Sequence, residues 1–160
     1  MRTVQVGRKS GMTLVEVIIA VSIIGLMAVM IVPAVQHSVR SRQNSRCASQ
    51  LRRAIAAFEL YRSENGAYPP DQNVPGDLSV SGMNPYFDDL GIDWWAEETE
   101  LGGRWDWDVG YHSIPASISI WKPTASAKQL LEFDRLVDDN DLATGRFRKI
   151  ETQYHYILEN

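Results

Sequence analysis

From Val17 to Val32 every residue is apolar except Ser22 and Gly25. Extended outward to Met12 and Val35, the segment holds twenty-four residues. That is about 36 Å of helix at about 1.5 Å per residue, enough to cross a hydrocarbon core of about 30 Å. Beyond Pro33 the pattern changes character. Val35, Val39, Ala48, Leu51, Ile55 and Phe58 recur mostly at spacings of three and four, with Arg40, Arg46, Arg53 and Arg62 left for the other faces. This predicts an amphipathic helix continuing the apolar one. Asn65-Gly66 supplies its stop, and Pro69-Pro70 cannot extend it. The two parts make one helix from Met12 to Asn65, about 80 Å long if unbroken. Gly25 and Pro33 are its expected weak points. Pro33 removes a backbone donor, which predicts either a kink or a proline accommodated at the membrane interface.

After "NGAYPP" the residues through 91 are rich in Gly, Asp, Asn and Pro, which predicts a long loop. Ile114, Ala116, Ile118 and Ile120 alternate with Ser113, Ser117, Ser119 and Trp121, the pattern of a half-buried strand. Ser126 opens a short helix through Val137, whose Leu130, Leu131, Phe133 and Leu136 can cover a sheet. Residues 146–150 and 153–158 read as two closing strands in a hairpin. The expected fold is α+β, with the long N-terminal helix packed on a small antiparallel sheet. Trp94, Trp95, Trp105 and Trp107 lie among Glu97, Glu98, Glu100, Asp106 and Asp108. That interleaving suits a binding surface for a sugar or a protein. In a domain this poor in aliphatics, the tryptophans are better used as core.

Charge separates the chain into halves. Arg40, Arg42, Arg46, Arg52, Arg53 and Arg62 belong to the helix, whereas Ala67 to Gly145 carries fifteen Asp or Glu against Arg104, Lys122, Lys128 and Arg135. So acidic a domain argues against nucleic acid as a partner. Arg40, Arg42 and Arg46 suit lipid headgroups, the acidic domains of neighbours, or plain solvation. Cys47 is the single cysteine, which excludes an intrachain disulfide, and His37, His112 and His155 lack ligand spacing. No G-x-S-x-G, phosphate-binding glycine loop or Cys–His pairing suggests an enzyme.

Glu16 is the anomaly, because a carboxylate at the centre of a membrane helix costs about 2.5–3.5 kcal/mol on insertion scales. Arg2, Arg8 and Lys9 precede it with no acidic residue, the asymmetry that keeps an N-terminus cytoplasmic. No small-residue cleavage site follows the apolar run, unlike a secretory signal. The stretch Ser10-Gly11-Met12-Thr13-Leu14-Val15-Glu16 resembles the prepilin cleavage and methylation motif of type IV pilins and type II secretion pseudopilins. Gly25 and Pro33 also fall where those proteins commonly carry a glycine and a proline, and Met12 stands where they usually have Phe. "GAYPPD" resembles the segment that follows the first helix in major pseudopilins.

The resemblance implies cleavage after Gly11 by a prepilin peptidase, leaving residues 1–11 as a leader and Met12 as an N-methylated terminus. Residues 12–35 would then be the transmembrane half of the helix, 36–66 the amphipathic half and 67–160 a globular pilin-like domain. Glu16 would lie one turn from the new amine and pair with it, in its own chain or in a neighbour. The implied role is a structural subunit of a type II secretion-like pseudopilus. It would be held in a bacterial inner membrane with the domain in the periplasm, and extracted into a filament of pilin-like subunits by an inner-membrane assembly platform. A minor type IV pilin and a membrane-tethered binding module using the Trp-rich loop are the alternatives. The missing disulfide leans toward the pseudopilin.

One further chemistry is legible. Asp138, Asp139 and Asp141, with Asn140, offer hard oxygen ligands suited to calcium, although their spacing is not that of an EF-hand. The resemblance adds a precedent, since some major pseudopilins hold structural calcium in a late loop, but their motif is absent. A helix end followed by a solvated acidic turn is the other reading. No other cofactor is expected.

Overall fold

The computed structural model describes residues 11–71, 73–77, 79 and 82–159. The expected leader, with its three basic residues, lies outside them except for Gly11. Helix α1 spans Leu14–Asn65, and the short helix α2 spans Asn84–Asp89. Strands β1 (Arg104–Asp108) and β2 (Ala116–Trp121) precede helix α3 (Ala127–Val137), and β3 (Phe147–Ile150) and β4 (Gln153–Glu159) close the chain. The sheet is antiparallel throughout, in the order β1-β2-β4-β3. The chain divides into two compact units, one ending at Val39 and the other beginning at Arg40. The α+β fold predicted from the sequence is the one observed.

In the second unit, α1 buries Asn44, Cys47, Ala48, Leu51, Ala54, Ala57 and Phe58. These recur at the three- and four-residue steps that keep one helical face inward. Small residues at 48, 54 and 57 bring the helix close, and Phe58 stacks on Trp107 with ring centroids 4.0 Å apart and planes 12° apart. Trp95 and Phe87 close around the same ring at 5.7 and 5.9 Å. All four clustered tryptophans are buried. The Trp107 indole donates to the Pro69 carbonyl at 3.1 Å, fixing the chain just past the helix. Gly66, at φ 78°, ends α1 in the left-handed conformation, and its N–H reaches Arg62 O at 2.8 Å. Cys47 is fully buried core, and burial pushes its thiol pKa up.

α3 begins where the serine predicts, with Ser126 Oγ accepting the Gln129 N–H at 3.3 Å. Its Phe133 meets Phe147 edge to face at 5.0 Å. Arg40 and Arg46, which the sequence left to lipid, neighbours or solvent, pair instead with the chain's own domain, through Glu132 and Glu100, and Arg62 pairs with Glu159. These partly exposed pairs contribute little each, on the order of 0–1 kcal/mol.

Three expectations are corrected. The loop expected through residue 91 contains α2, which exists because Phe87 finds a place in the aromatic core. The Trp-Asp-Trp-Asp run is a strand, β1, whose alternation sends Trp105 and Trp107 into the core and Asp106 and Asp108 to the opposite face. β2 is buried on both faces rather than one, because a polar layer covers its outer side. In that layer Ser119 donates to Gln153 Oε1 at 3.1 Å, Ser117 Oγ lies 3.1 Å from His155 Nδ1, and Tyr111 stacks on His155 with centroids 5.1 Å apart.

The outer layer titrates. Burial, then the charge of Asp108, pushes the Asp106 pKa up to about 7. Burial likewise raises Asp108 to about 6 and lowers His155 to about 4. A carboxyl whose pKa is raised by folding stabilises most below its unfolded value and loses that contribution as pH rises through the folded one. For Asp106 the window runs from 3.8 to about 7. His155 has the opposite sign, losing stability as pH falls from 6.5 toward about 4. Thermal melts of Asp106→Asn and the parent across this range should therefore diverge, the parent losing more stability between pH 4 and 7. Parallel curves would contradict a raised Asp106.

Candidate functional site

The head of α1 is built by two residues. Thr13 precedes the helix, and its N–H and hydroxyl both donate to Glu16 Oε2 at 2.8 Å. The Glu16 N–H returns to Thr13 Oγ1 at 3.3 Å. Thr-Leu-Val-Glu is thus a reciprocal capping box, in which a hydroxyl at the cap and a carboxylate three residues on satisfy each other's backbone donors. The sequence reading missed it, although S/T-x-x-E before an apolar run is its usual signal. Both bonds fall on Oε2, and Oε1 accepts none among the described residues.

Around Glu16, from Leu14 to Val35, the helix is apolar on all sides. Leu14, Val15, Ile18, Ile24, Leu26, Val29, Met30 and Val35 are all exposed in the chain by itself. A helix apolar all round belongs in lipid or among other helices. α1 is long and apolar enough to cross a membrane, and the window that qualifies it is entirely unburied. Ser22 donates its hydroxyl to Ile18 O at 2.8 Å, so no polar side chain in the run demands water. The helix continues through Gly25 and Pro33. A Cβ placed on Gly11 or on Gly25 would meet nothing within 4 Å, so no contact inside the chain requires either glycine.

The acidic loop after α3 is arranged differently from the expected set. Asp138 Oδ2 accepts the N–H groups of Arg146 and of Phe147, the latter at 2.9 Å. Asp139 takes the Asp141 N–H and the Thr144 hydroxyl, each at 3.0 Å. Asp141 turns away to accept the Ala143 N–H at 3.0 Å. The third carboxylate beside Asp138 and Asp139 is Asp134, from the last turns of α3, and one oxygen from each of the three lies within 4.8 Å of the others. Asp134 is fully buried and neither of its oxygens has a hydrogen-bond partner. Burial, then Asp139 and Asp138, pushes its pKa up to about 6. Gly145 (φ 69°) closes over the group, and any Cβ there would collide with the Asp138 and Asp139 carboxylates. The four-residue step from 134 to 138, which puts two carboxylates on one helical face, was the sequence signal for this pairing.

On the outer side of the sheet lies a cavity of about 250 Å³ lined by Asp71, Asn73, Asp106, Asp108, Tyr111, Trp121 and Gln153. Ser117, His155 and Asp108 adjoin it, but Ser117 Oγ and Asp108 Oδ2 both face His155 Nδ1, at 3.1 and 3.6 Å. A serine relay needs its nucleophile and its orienting carboxylate on opposite ring nitrogens.

Residues 7–32 match the family model for the prokaryotic N-terminal methylation motif. The type II secretion system core protein G of Pseudomonas aeruginosa is 31% identical over 65 residues, which cover 41% of this chain and 46% of that protein. The chain thus spans about half the length of the curated relative it matches. No solved structure matches it. The chain carries the methylation motif at the head of a long helix packed over a small antiparallel sheet, a pilin-like α+β arrangement, and it is similar in part to a type II secretion core protein.

Proposed function

We propose that this chain is a structural subunit of a pseudopilus in a type II secretion-like system, cleaved after Gly11 and N-methylated at Met12. The observation that carries this reading is Glu16, the one charge in a helical stretch, Leu14 to Val35, that is otherwise apolar on every side. Its Oε2 completes the capping box, which leaves Oε1 for a donor from outside. In lipid, the amine of a neighbouring Met12 is the donor that both neutralises the charge and sets the register of one helix on the next. Gly25 offers a close approach for another helix, and Pro33 leaves one carbonyl in the ladder without its donor, a point where the helix can bend on extraction.

In this reading the N-terminus is cytoplasmic and the span lies in the inner membrane of a bacterium. The domain is periplasmic, and a prepilin peptidase and an inner-membrane assembly platform are the partners, with no nucleic acid involved. The name of the Pseudomonas relative supports secretion over a minor type IV pilus. A tethered binding module loses its aromatic surface, since the four clustered tryptophans are core. No catalytic role is proposed.

The domain also suits one structural calcium ion held by Asp134, Asp138 and Asp139, with Asp141 shaping the loop rather than ligating. The buried, unpartnered Asp134 is what favours it, because three adjacent carboxylates with no donor on the innermost are otherwise in repulsion. Backbone oxygens and water would complete the six to eight ligands that calcium takes.

Two outcomes follow from these assignments. Glu16→Ala should insert in membranes at the parental level, yet recover less than about a tenth of the parent's sheared surface filaments, the size of effect expected when a buried charge loses its partner. Normal filament yield would contradict the assigned role. For the purified full chain in detergent, calcium at about one hundred times its Kd should add about 2.7 kcal/mol and raise Tm by roughly 5–10 °C over a chelator control. Asp134→Asn should abolish the difference, and a parent Tm indifferent to chelator would remove the ion.

A further inference from the structure

We propose that the cavity on the outer face of β1 and β2 is a receptor for a cationic side chain, the guanidinium of an α1 arginine from a second copy of the chain. The choice of a second copy rests on the filament reading; the cation chemistry of the cavity does not.

Three carboxylates serve one space of about 250 Å³: Asp71 from the segment after Pro69-Pro70, and Asp106 and Asp108 from β1. Asp106 and Asp108 are 92% buried, and Asp108 Oδ2 accepts no hydrogen bond. The nearest group that could neutralise it is His155, with Nδ1 3.6 Å away, and burial keeps that imidazole uncharged at neutral pH. Asp106 has only the Trp107 N–H on its Oδ1, at 3.0 Å. Burial, Asp71 and, for Asp106, Asp108 push the two aspartates up, against a hydrogen bond from Ser119 at Asp108 and from the Trp107 N–H at Asp106; no arginine or lysine is among these groups. The cavity is therefore acidic, partly desolvated and without a cationic partner, and a cation entering it would favour the charged form of both aspartates.

The shape of the cation follows from the walls. Asp71, Asp106 and Asp108 line one space but are not among the carboxylates that bring three oxygens within 4.8 Å of one another, as a shared metal ion would need. Among the described residues only Asp134, Asp138 and Asp139 gather closely enough for that. Tyr111 and Trp121 supply aromatic faces instead, and the Trp121 ring already carries Lys122 Nζ 4.3 Å from its centroid. A planar guanidinium, with five donors and a face that stacks on rings, can serve two separated carboxylates and an aromatic wall together.

Charge complementarity names the source. The exposed arginines of the second unit concentrate on α1, and Arg42 there is exposed with no ion pair among the described residues. The acidic cavity lies on the sheet face opposite the one that α1 covers, so a copy approaching from outside meets it first.

The test is calorimetric titration of the detergent-solubilised full chain with N-acetyl-arginine methylamide and with its uncharged citrulline counterpart. Saturable binding is expected for the arginine compound, at least tenfold weaker for citrulline and for the Asp106→Asn/Asp108→Asn double variant. Asp71→Asn, at an exposed position, should weaken it severalfold and covers the case in which the double variant does not fold. Equal binding of the two compounds, or none, would overturn the cation site whatever becomes of the filament. A photo-crosslinking residue at Tyr111, in cells that assemble the chain, should yield a peptide of α1 from another copy. Binding of the free compound without such a peptide would overturn the second copy as occupant and leave a free amine or guanidine ligand.

Discussion

The stack of Phe58 on Trp107 is the contact on which the folded domain depends. It joins the one long helix to the first strand of the sheet, and Trp95, Phe87 and Tyr68 pack around the same two rings. Aromatic pairs of this kind add about 0.5–1.5 kcal/mol beyond the area they bury, and a fully buried Phe contributes roughly 1.5–3 kcal/mol by burial. A chain whose aliphatics are spent on the N-terminal half of α1 needs such large side chains to fill a small domain. The indole of Trp107 then holds the Pro69 carbonyl, so the same residue also steers the chain away from the helix.

That arrangement leaves α1 with two kinds of surroundings. From Asn44 to Phe58 its inner face is sealed by the domain, while from Leu14 to Val39 the chain offers it nothing to pack on. The first unit is thus stable only where something else supplies an apolar environment, whether bilayer or other helices. In the proposed filament, those two environments are successive stages of one life. Glu16 ties them together, since its capping box is complete in the single chain but half its carboxylate still lacks a donor.

The features legible in the sequence were those with periodicity or fixed spacing. α1, α3 and the three later strands followed from their apolar steps, from Ser126 and from Gly66. The methylation motif followed from the distance between Gly11 and Glu16. What escaped was set by tertiary context. β1 looked like an acidic aromatic loop because its two faces are opposite in kind, tryptophan inside and aspartate outside. α2 is six residues long and exists through Phe87. Asp134 lies within a helix, apart in sequence from the crowded carboxylates of 138–141, and Asp141 serves its own turn. The acidic cavity needs a fold to assemble it, because Asp71 and Tyr111 come from connections on either side of β1.

The central claim is that Glu16 awaits an amine created at Met12. It is tested most directly by producing the full chain with and without a prepilin peptidase and reading its N-terminus by mass spectrometry. The account predicts a mature chain beginning at N-methylated Met12 only when the peptidase is present. A chain left whole, or cut at any other bond, would contradict it.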